Sequence, residues 1–135
     1  MKRVQDKKIN ITIIGAGKVG QTFEHLFKSV GHKASLIGRD IEANRNLINK
    51  AKLILITTSD HSIEQVCSNI SSSLNPESVV SHCSGALSSE VLLSAKNQGC
   101  EIASSHPLNT FPNLAAALAT FSNINHGTYL SLIHI

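Results

Sequence analysis

Tryptophan is absent from the 135 residues, and aromatic side chains make up only 4% of them. With hydrophobic content at 41%, the core must be built from Ile, Leu, Val and Ala, which suits a parallel sheet buried on both faces. Cysteine is scarce as well. Cys67, Cys83 and Cys100 are odd in number and widely spaced, which argues against a disulfide framework or a zinc site and points to a reducing cytoplasm. No apolar run approaches the ~18 residues that would span a bilayer, so no membrane association is expected. Strong charge is missing too. The formal net charge is +3, and much of it sits in Lys2, Arg3, Lys7 and Lys8, with no aromatics interleaved. That is a solvated, disordered leader over residues 1–8 rather than a nucleic-acid surface. It is not a secretory signal, because the apolar stretch after it is short and broken by Asn10 and Thr12. No two histidines have close metal-ligand spacing and no carboxylate pair stands out, so no metal is expected.

What is present centres on residues Ile9–Val30. Ile9, Ile11 and Ile13 alternate with Asn10 and Thr12, the period of a strand. From Lys18 the period becomes helical, with Val19, Phe23, Leu26, Phe27 and Val30 on one face. Between the two lies Gly15-Ala16-Gly17-Lys18-Val19-Gly20, a GxGxxG. Gly15 permits the tight turn out of the strand, and Gly17 lets a pyrophosphate approach the backbone. Gly20 allows the helix to pack close. The helix N-terminus then offers its amides and dipole to phosphate. Glycines recur in ordinary turns, but a preceding strand and a following amphipathic helix give the motif its dinucleotide-binding context. Residues 15–20 are therefore the expected cofactor-binding loop.

Along the rest of the chain, Gly31 is a stop signal and Lys33–Ile37 a short second strand. A carboxylate for a ribose 2′-OH is expected at its end, yet Gly38 stands near that position and Arg39 follows. A guanidinium suits the 2′-phosphate of NADP. Asp40 keeps NAD open, and a merely polar turn is the third alternative. Ile41–Lys50 reads as a short helix and Leu53–Ile56 as a buried central strand, which leaves too little chain for the usual third strand. Thr57, Thr58 and Ser59 follow that strand and should border the cofactor, while Asp60 is a candidate N-cap and Ser62–Gln65 a capping box. Ser78–Cys83 and Glu101–Ala103 are further strands, separated by a helix that Ser88 can cap. Leu114–Leu118 is a candidate helix, and Thr128–Ile133 alternates like one more strand. The expected fold is α/β: a Rossmann-type, doubly wound, mostly parallel sheet with helices on both faces and its third strand short or missing.

Hydride transfer to a carbonyl or imine also needs a proton donor and a polarising group. Ser84 and His106, on strand-end loops, are the candidate catalytic residues; His82, inside a strand, reads as a hydrogen-bonded core residue. For His106 a structural role stands beside the catalytic one. Four stretches, IGAGKVGQTF, GRD, LILITTSDHSIEQV, and SVVSHCSGALSSEVL with SSHPLNTFP, resemble the Rossmann-like NADP oxidoreductases related to pyrroline-5-carboxylate reductase. The resemblance implies reduction of a small-molecule carbonyl or imine with NADP. It also implies a helical C-terminal domain that forms a homodimer and closes the substrate cleft. The His106-Pro107 pair is similar to one in prephenate dehydrogenases, where the histidine lies near the nicotinamide. On the resemblance, residues 9–135 are the nucleotide-binding domain and the helical domain is absent, which reads as a fragment. A non-catalytic dinucleotide-binding or sensing module is the alternative from a different functional class.

Overall fold

The computed structural model describes residues 8–104. Five strands, β1 (Asn10–Ile14), β2 (Lys33–Ile37), β3 (Leu53–Ile56), β4 (Val79–His82) and β5 (Glu101–Ser104), form one parallel sheet in the order β2-β1-β3-β4-β5. Four helices, α1 (Lys18–Ser29), α2 (Arg45–Lys50), α3 (Ile63–Ile70) and α4 (Leu93–Lys96), make the crossovers. Short 3₁₀ turns at Glu42–Asn44, Asp60–Ser62 and Ser89–Leu92 lead into the last three. No strand intervenes between β2 and β3, so β2 is the edge of the sheet among the described residues, as the short Asp40–Lys52 connection predicts. Among the described residues no helix is long and apolar enough to cross a membrane.

The alternation along β1 sorts its side chains as the period requires. Ile11 and Ile13 join Phe27, Ala34, Leu53 and Leu55 on the α1 face, with Ile9 and Phe23 packed against them. Ile14 turns the other way, into a larger cluster with Ile48, Ile54, Ile56, Ile63, Cys67, Ile70, Val80, Leu92 and Ala95, which α2, α3 and α4 cover. Ile54, Leu55 and Ile56 are fully buried, the mark of a central strand covered on both faces. Each such side chain contributes about 1.5–3 kcal/mol of hydrophobic stabilisation relative to exposure.

The helix ends depart from expectation in one place. At the C-terminus of α1, Gly31 N–H donates to Lys28 O and His32 N–H to Phe27 O, the paired bonds of a Schellman stop. Ser88 Oγ accepts Glu90 N–H at 3.2 Å, as its capping role predicts. Asp60 and the Ser62–Gln65 box do not cap α3. The chain enters that helix through a 3₁₀ turn, which satisfies Ser62 N–H with Ser59 O, and Gln65 Nε2 donates instead to Asn69 Oδ1.

One contact decides how α1 sits. A Cβ at Gly20 would fall 2.0 Å from Gly15 O, 2.9 Å from Thr57 Oγ1 and 3.1 Å from Leu36 Cδ1. Gly20→Ala must therefore move backbone, and it should cost about 1–3 kcal/mol or more, read as a lower urea midpoint with unchanged slope. Gly17→Ala, whose Cβ would have nothing within 4 Å, should stay within about 1 kcal/mol of wild type.

His32 supplies a pH-dependent tie between the starts of β1 and β2, because its Nδ1 accepts Ile9 N–H at 3.2 Å. Partial burial, then the nearby Lys8 charge, lowers its pKa below the ordinary imidazole value. The native state thus favours neutral His32, and the unfolded chain takes up the proton first as the pH falls. The contribution is intact above about pH 6.5 and lost as pH falls through the lower native value. Urea midpoints of wild type and His32→Asn, followed from pH 7.5 to pH 5, should converge on acidification; parallel profiles would remove His32 as their source.

Candidate functional site

The sheet order reverses direction at β1: the first crossover carries the chain outward to β2, and the second brings it back past β1 to β3. In open parallel sheets such a reversal opens a crevice beyond the carboxyl ends of the two strands. Here the glycine loop leaves β1 and Thr57–Ser59 leaves β3, so the two predicted cofactor-binding stretches flank that crevice. The Gly38-Arg39-Asp40 loop leaves the neighbouring β2, and Ser84 lies just beyond β4 on the same edge.

Within the glycine loop, Gly15 adopts φ +120°, and its N–H donates to Ile37 O at 3.0 Å. That left-handed conformation strains any side chain. Gly17 occupies the N-cap of α1 in extended conformation, with no side-chain cap and no acidic residue in the first turn. The first amides of a helix lack intrahelical acceptors. Here no side chain of the helix's own start competes for them, and the space beside Gly17 is open to at least 4 Å. Ala16, Gly17 and Lys18 are exposed, Val19 is half-buried, and Gly20 is buried against the sheet. An anionic group placed there would meet the first amides of α1, and an added Cβ at Gly17 would project into the same space.

Thr57 and Thr58 are half-buried, and Ser59 is exposed. Thr57 Oγ1 donates to Gly15 O at 2.9 Å, with Ile14 O at 3.2 Å, and Thr57 N–H donates to Ile14 O at 2.8 Å. Thr58 Oγ1 is buried without a hydrogen-bond partner among the described residues, an unmet demand just beyond the end of β3. Ser59 Oγ lies 3.1 Å from Ser62 Oγ.

The electrostatics beside β2 separate Arg39 from its neighbours. Asp40 Oδ1 accepts Ala43 N–H at 3.0 Å and so caps the turn into α2. Glu42 pairs with Arg45 at 2.6 Å, and that hydrogen bond and charge hold its carboxyl below the usual range. Arg39 is exposed, and no salt bridge engages it among the described residues. Gly38 leaves open space where a larger residue would project.

The candidate catalytic residues fare differently. Ser84 is buried; its Oγ accepts Ala86 N–H at 3.1 Å, and its own N–H donates to His82 Nδ1 at 3.0 Å. His82, fully buried, presents Nε2 to Ser88 O at 2.8 Å. A carbonyl only accepts, so Nε2 carries the proton and Nδ1 the lone pair, and the ring pins both ends of the 84–88 loop. His82 is thus the hydrogen-bonded core residue its place in a strand suggests. His106 lies outside the described residues. No disulfide joins the cysteines; Cys67 is buried, and burial pushes its thiol upward, away from reactivity. Sequence reasoning missed Gln21, whose Nε2 donates to Ala16 O at 3.0 Å. An amide side chain in the first helical turn after a glycine loop is the signal that could have found it.

No protein-family model matches the chain, and no curated protein matches it. Solved structures do. The V8 variant of the imine reductase from Myxococcus stipitatus, in complex with NAD+, matches 94% of this chain and 53% of its own at TM-score 0.66 and 14% identity. Arogenate dehydrogenase from Synechocystis matches 75% of this chain and 42% of its own at TM-score 0.62 and 18% identity. A protein of Bacteroides fragilis described as an NADP oxidoreductase matches 82% and 47% at TM-score 0.61 and 19% identity. The chain therefore spans about half the length of these neighbours. At such identities the likeness concerns the fold, and that fold is the Rossmann-type α/β sheet of dehydrogenases and reductases.

Proposed function

We propose that this chain supplies the NADP-binding part of an oxidoreductase that passes a hydride between the nicotinamide and a small carbonyl or imine compound. The observation that carries the reading is the open helix N-terminus at Gly17, set on the crevice where the strand order reverses. Ala16 to Gly20 would hold the pyrophosphate through backbone amides, and Thr58 Oγ1, unsatisfied among the described residues, would find its partner in the bound dinucleotide. When bound, the nicotinamide would supply the hydride. Arg39 would take the 2′-phosphate, since Asp40 and Glu42 are committed to a cap and an ion pair. The neighbours' reductase and dehydrogenase titles, and the resemblance to relatives of pyrroline-5-carboxylate reductase, support the reaction class. On this reading a cytoplasmic homodimer carries the activity, and Ser84 and His106 are its candidate acid–base and polarising groups. An assay with NADPH and a panel of imines and keto acids tests it.

A non-catalytic dinucleotide-binding module is the second reading, and one observation favours it. Among the described residues at the crevice, the hydroxyls of Thr57 and Ser84 are engaged in holding the fold. NADPH binding without turnover of any panel member would select this reading.

Two substitutions check the cofactor assignment. Gly17→Val should abolish dinucleotide binding in a chain that still folds, because the branched side chain fills the pyrophosphate's place and its Cβ has open space around it. Unchanged affinity by calorimetry would sink the site. Arg39→Ala should weaken NADPH roughly ten- to a hundredfold, from losing a charge-assisted bond of about 1.5–3 kcal/mol, and leave NADH nearly unchanged. Equal weakening of both cofactors would reassign Arg39 to structure.

A further inference from the structure

Three consecutive carbonyls of the glycine loop are held from the protein side. Gly15 O accepts Thr57 Oγ1–H at 2.9 Å, Ala16 O accepts Gln21 Nε2–H at 3.0 Å, and Gly17 O accepts Gln21 N–H at 3.0 Å. No peptide bond among the described residues is cis. In a trans peptide the C=O and the following N–H point in opposite directions. Fixing the three oxygens inward therefore aims the N–H groups of Ala16, Gly17 and Lys18 away from those anchors. The first of these peptides is the one most in need of an anchor. It follows Gly15, a glycine at φ +120°, and it precedes the helix, so no helical bond fixes it.

We propose that Thr57 is a positioning residue for the pyrophosphate: its hydroxyl, reaching from the end of β3, locks the Gly15–Ala16 peptide so that the Ala16 amide faces the ligand. The inference rests on the cofactor reading above and changes what Thr57 does in it. The side chain expected to touch the dinucleotide acts on it through the loop instead. Its hydroxyl is closely fitted toward both glycines. Thr57 Oγ1 stands 2.8 Å from where a Gly15 Cβ would be and 2.9 Å from where a Gly20 Cβ would be, so the hydroxyl fills the gap the two glycines leave. A methyl group in its place would sit about 2.9 Å from Gly15 O, closer than the roughly 3.3 Å at which carbon and oxygen normally meet, and would drive the peptide to turn.

The test compares Thr57→Val, Thr57→Ala and Thr57→Ser with Thr12→Val, using calorimetric titration of the full chain with NADPH and with NADH. Thr12 is a matched control. It is buried in β1, and its hydroxyl donates to Leu47 O at 2.9 Å on the far side of the sheet from α1. Thr57→Ala and Thr57→Val should each weaken both cofactors about tenfold and alike, because both carry the pyrophosphate. Thr57→Ser, which keeps the hydroxyl, should stay within about twofold of wild type, and so should Thr12→Val despite a comparable loss of stability. Where Thr57→Val does not fold, Thr57→Ala carries the comparison, since it only removes atoms. Affinity of Thr57→Ala within twofold of wild type would overturn the inference, as would equal weakening by Thr12→Val. A wild-type chain that binds neither cofactor would overturn the site reading itself, and the inference with it.

Discussion

The near-contact between Gly20 and Gly15 O is the constraint on which the rest depends. Helix α1 lies so close over the β1 turn that a single methyl group would intrude to 2.0 Å of a backbone oxygen. That closeness sets the direction of the helix and directs its N-terminus at the crevice between β1 and β3. It also lets Thr57, from the neighbouring strand, reach the loop that precedes the helix. The hydrophobic clusters on the two sheet faces supply the stability that holds this arrangement together. They do not choose its geometry. Shape at the carboxyl edge comes from two glycines and one hydroxyl, and the packed Ile and Leu side chains make that shape affordable.

Polar groups at the edge divide into those the fold consumes and those it leaves over. Thr57, Gln21, Asp40, Ser84 and His82 all satisfy neighbouring backbone groups. What remains is the helix N-terminus beside Gly17, the Arg39 side chain outside any salt bridge among the described residues, and the buried Thr58 oxygen. All three are complementary to a phosphorylated, hydroxyl-rich ligand: amides and a guanidinium for anions, and a threonine oxygen able to donate or accept. The fold thus leaves one guanidinium and one uncapped helix N-terminus on the carboxyl edge, where the proposed dinucleotide would lie.

Much of this was legible in the sequence because it rests on period and on local steric demand. Alternation placed Ile11 and Ile13 on one face of β1, the run Leu53–Ile56 marked the central strand, and the short Asp40–Lys52 span pointed to a third strand that is short or missing. The GxGxxG spacing assigned separate tasks to Gly15, Gly17 and Gly20; the positive φ of Gly15 and the close packing at Gly20 match theirs, and the space beside Gly17 is open. What could not be read depends on long-range geometry. Whether Asp60 caps α3 turned on a competing 3₁₀ turn, whose hydrogen bonds supplied the same service. The target of the Thr57 hydroxyl lay 42 residues away in sequence, and no local pattern reports such a contact. Ser84 likewise gave no sign that His82 and Ala86 would take up its amide and hydroxyl.

In the proposed site the carboxyl edge at the β1/β3 crevice receives a dinucleotide through backbone amides of the glycine loop. Amide chemical-shift mapping of the 15N-labelled full chain during titration with NADPH addresses it directly. The largest saturable shifts are expected at Ala16, Gly17, Lys18 and Val19, with further shifts at Arg39 and Thr58, and little change at the opposite strand ends near Lys33, Leu53 and Val79. Saturable shifts confined to those opposite ends, or none anywhere at millimolar NADPH, would contradict it.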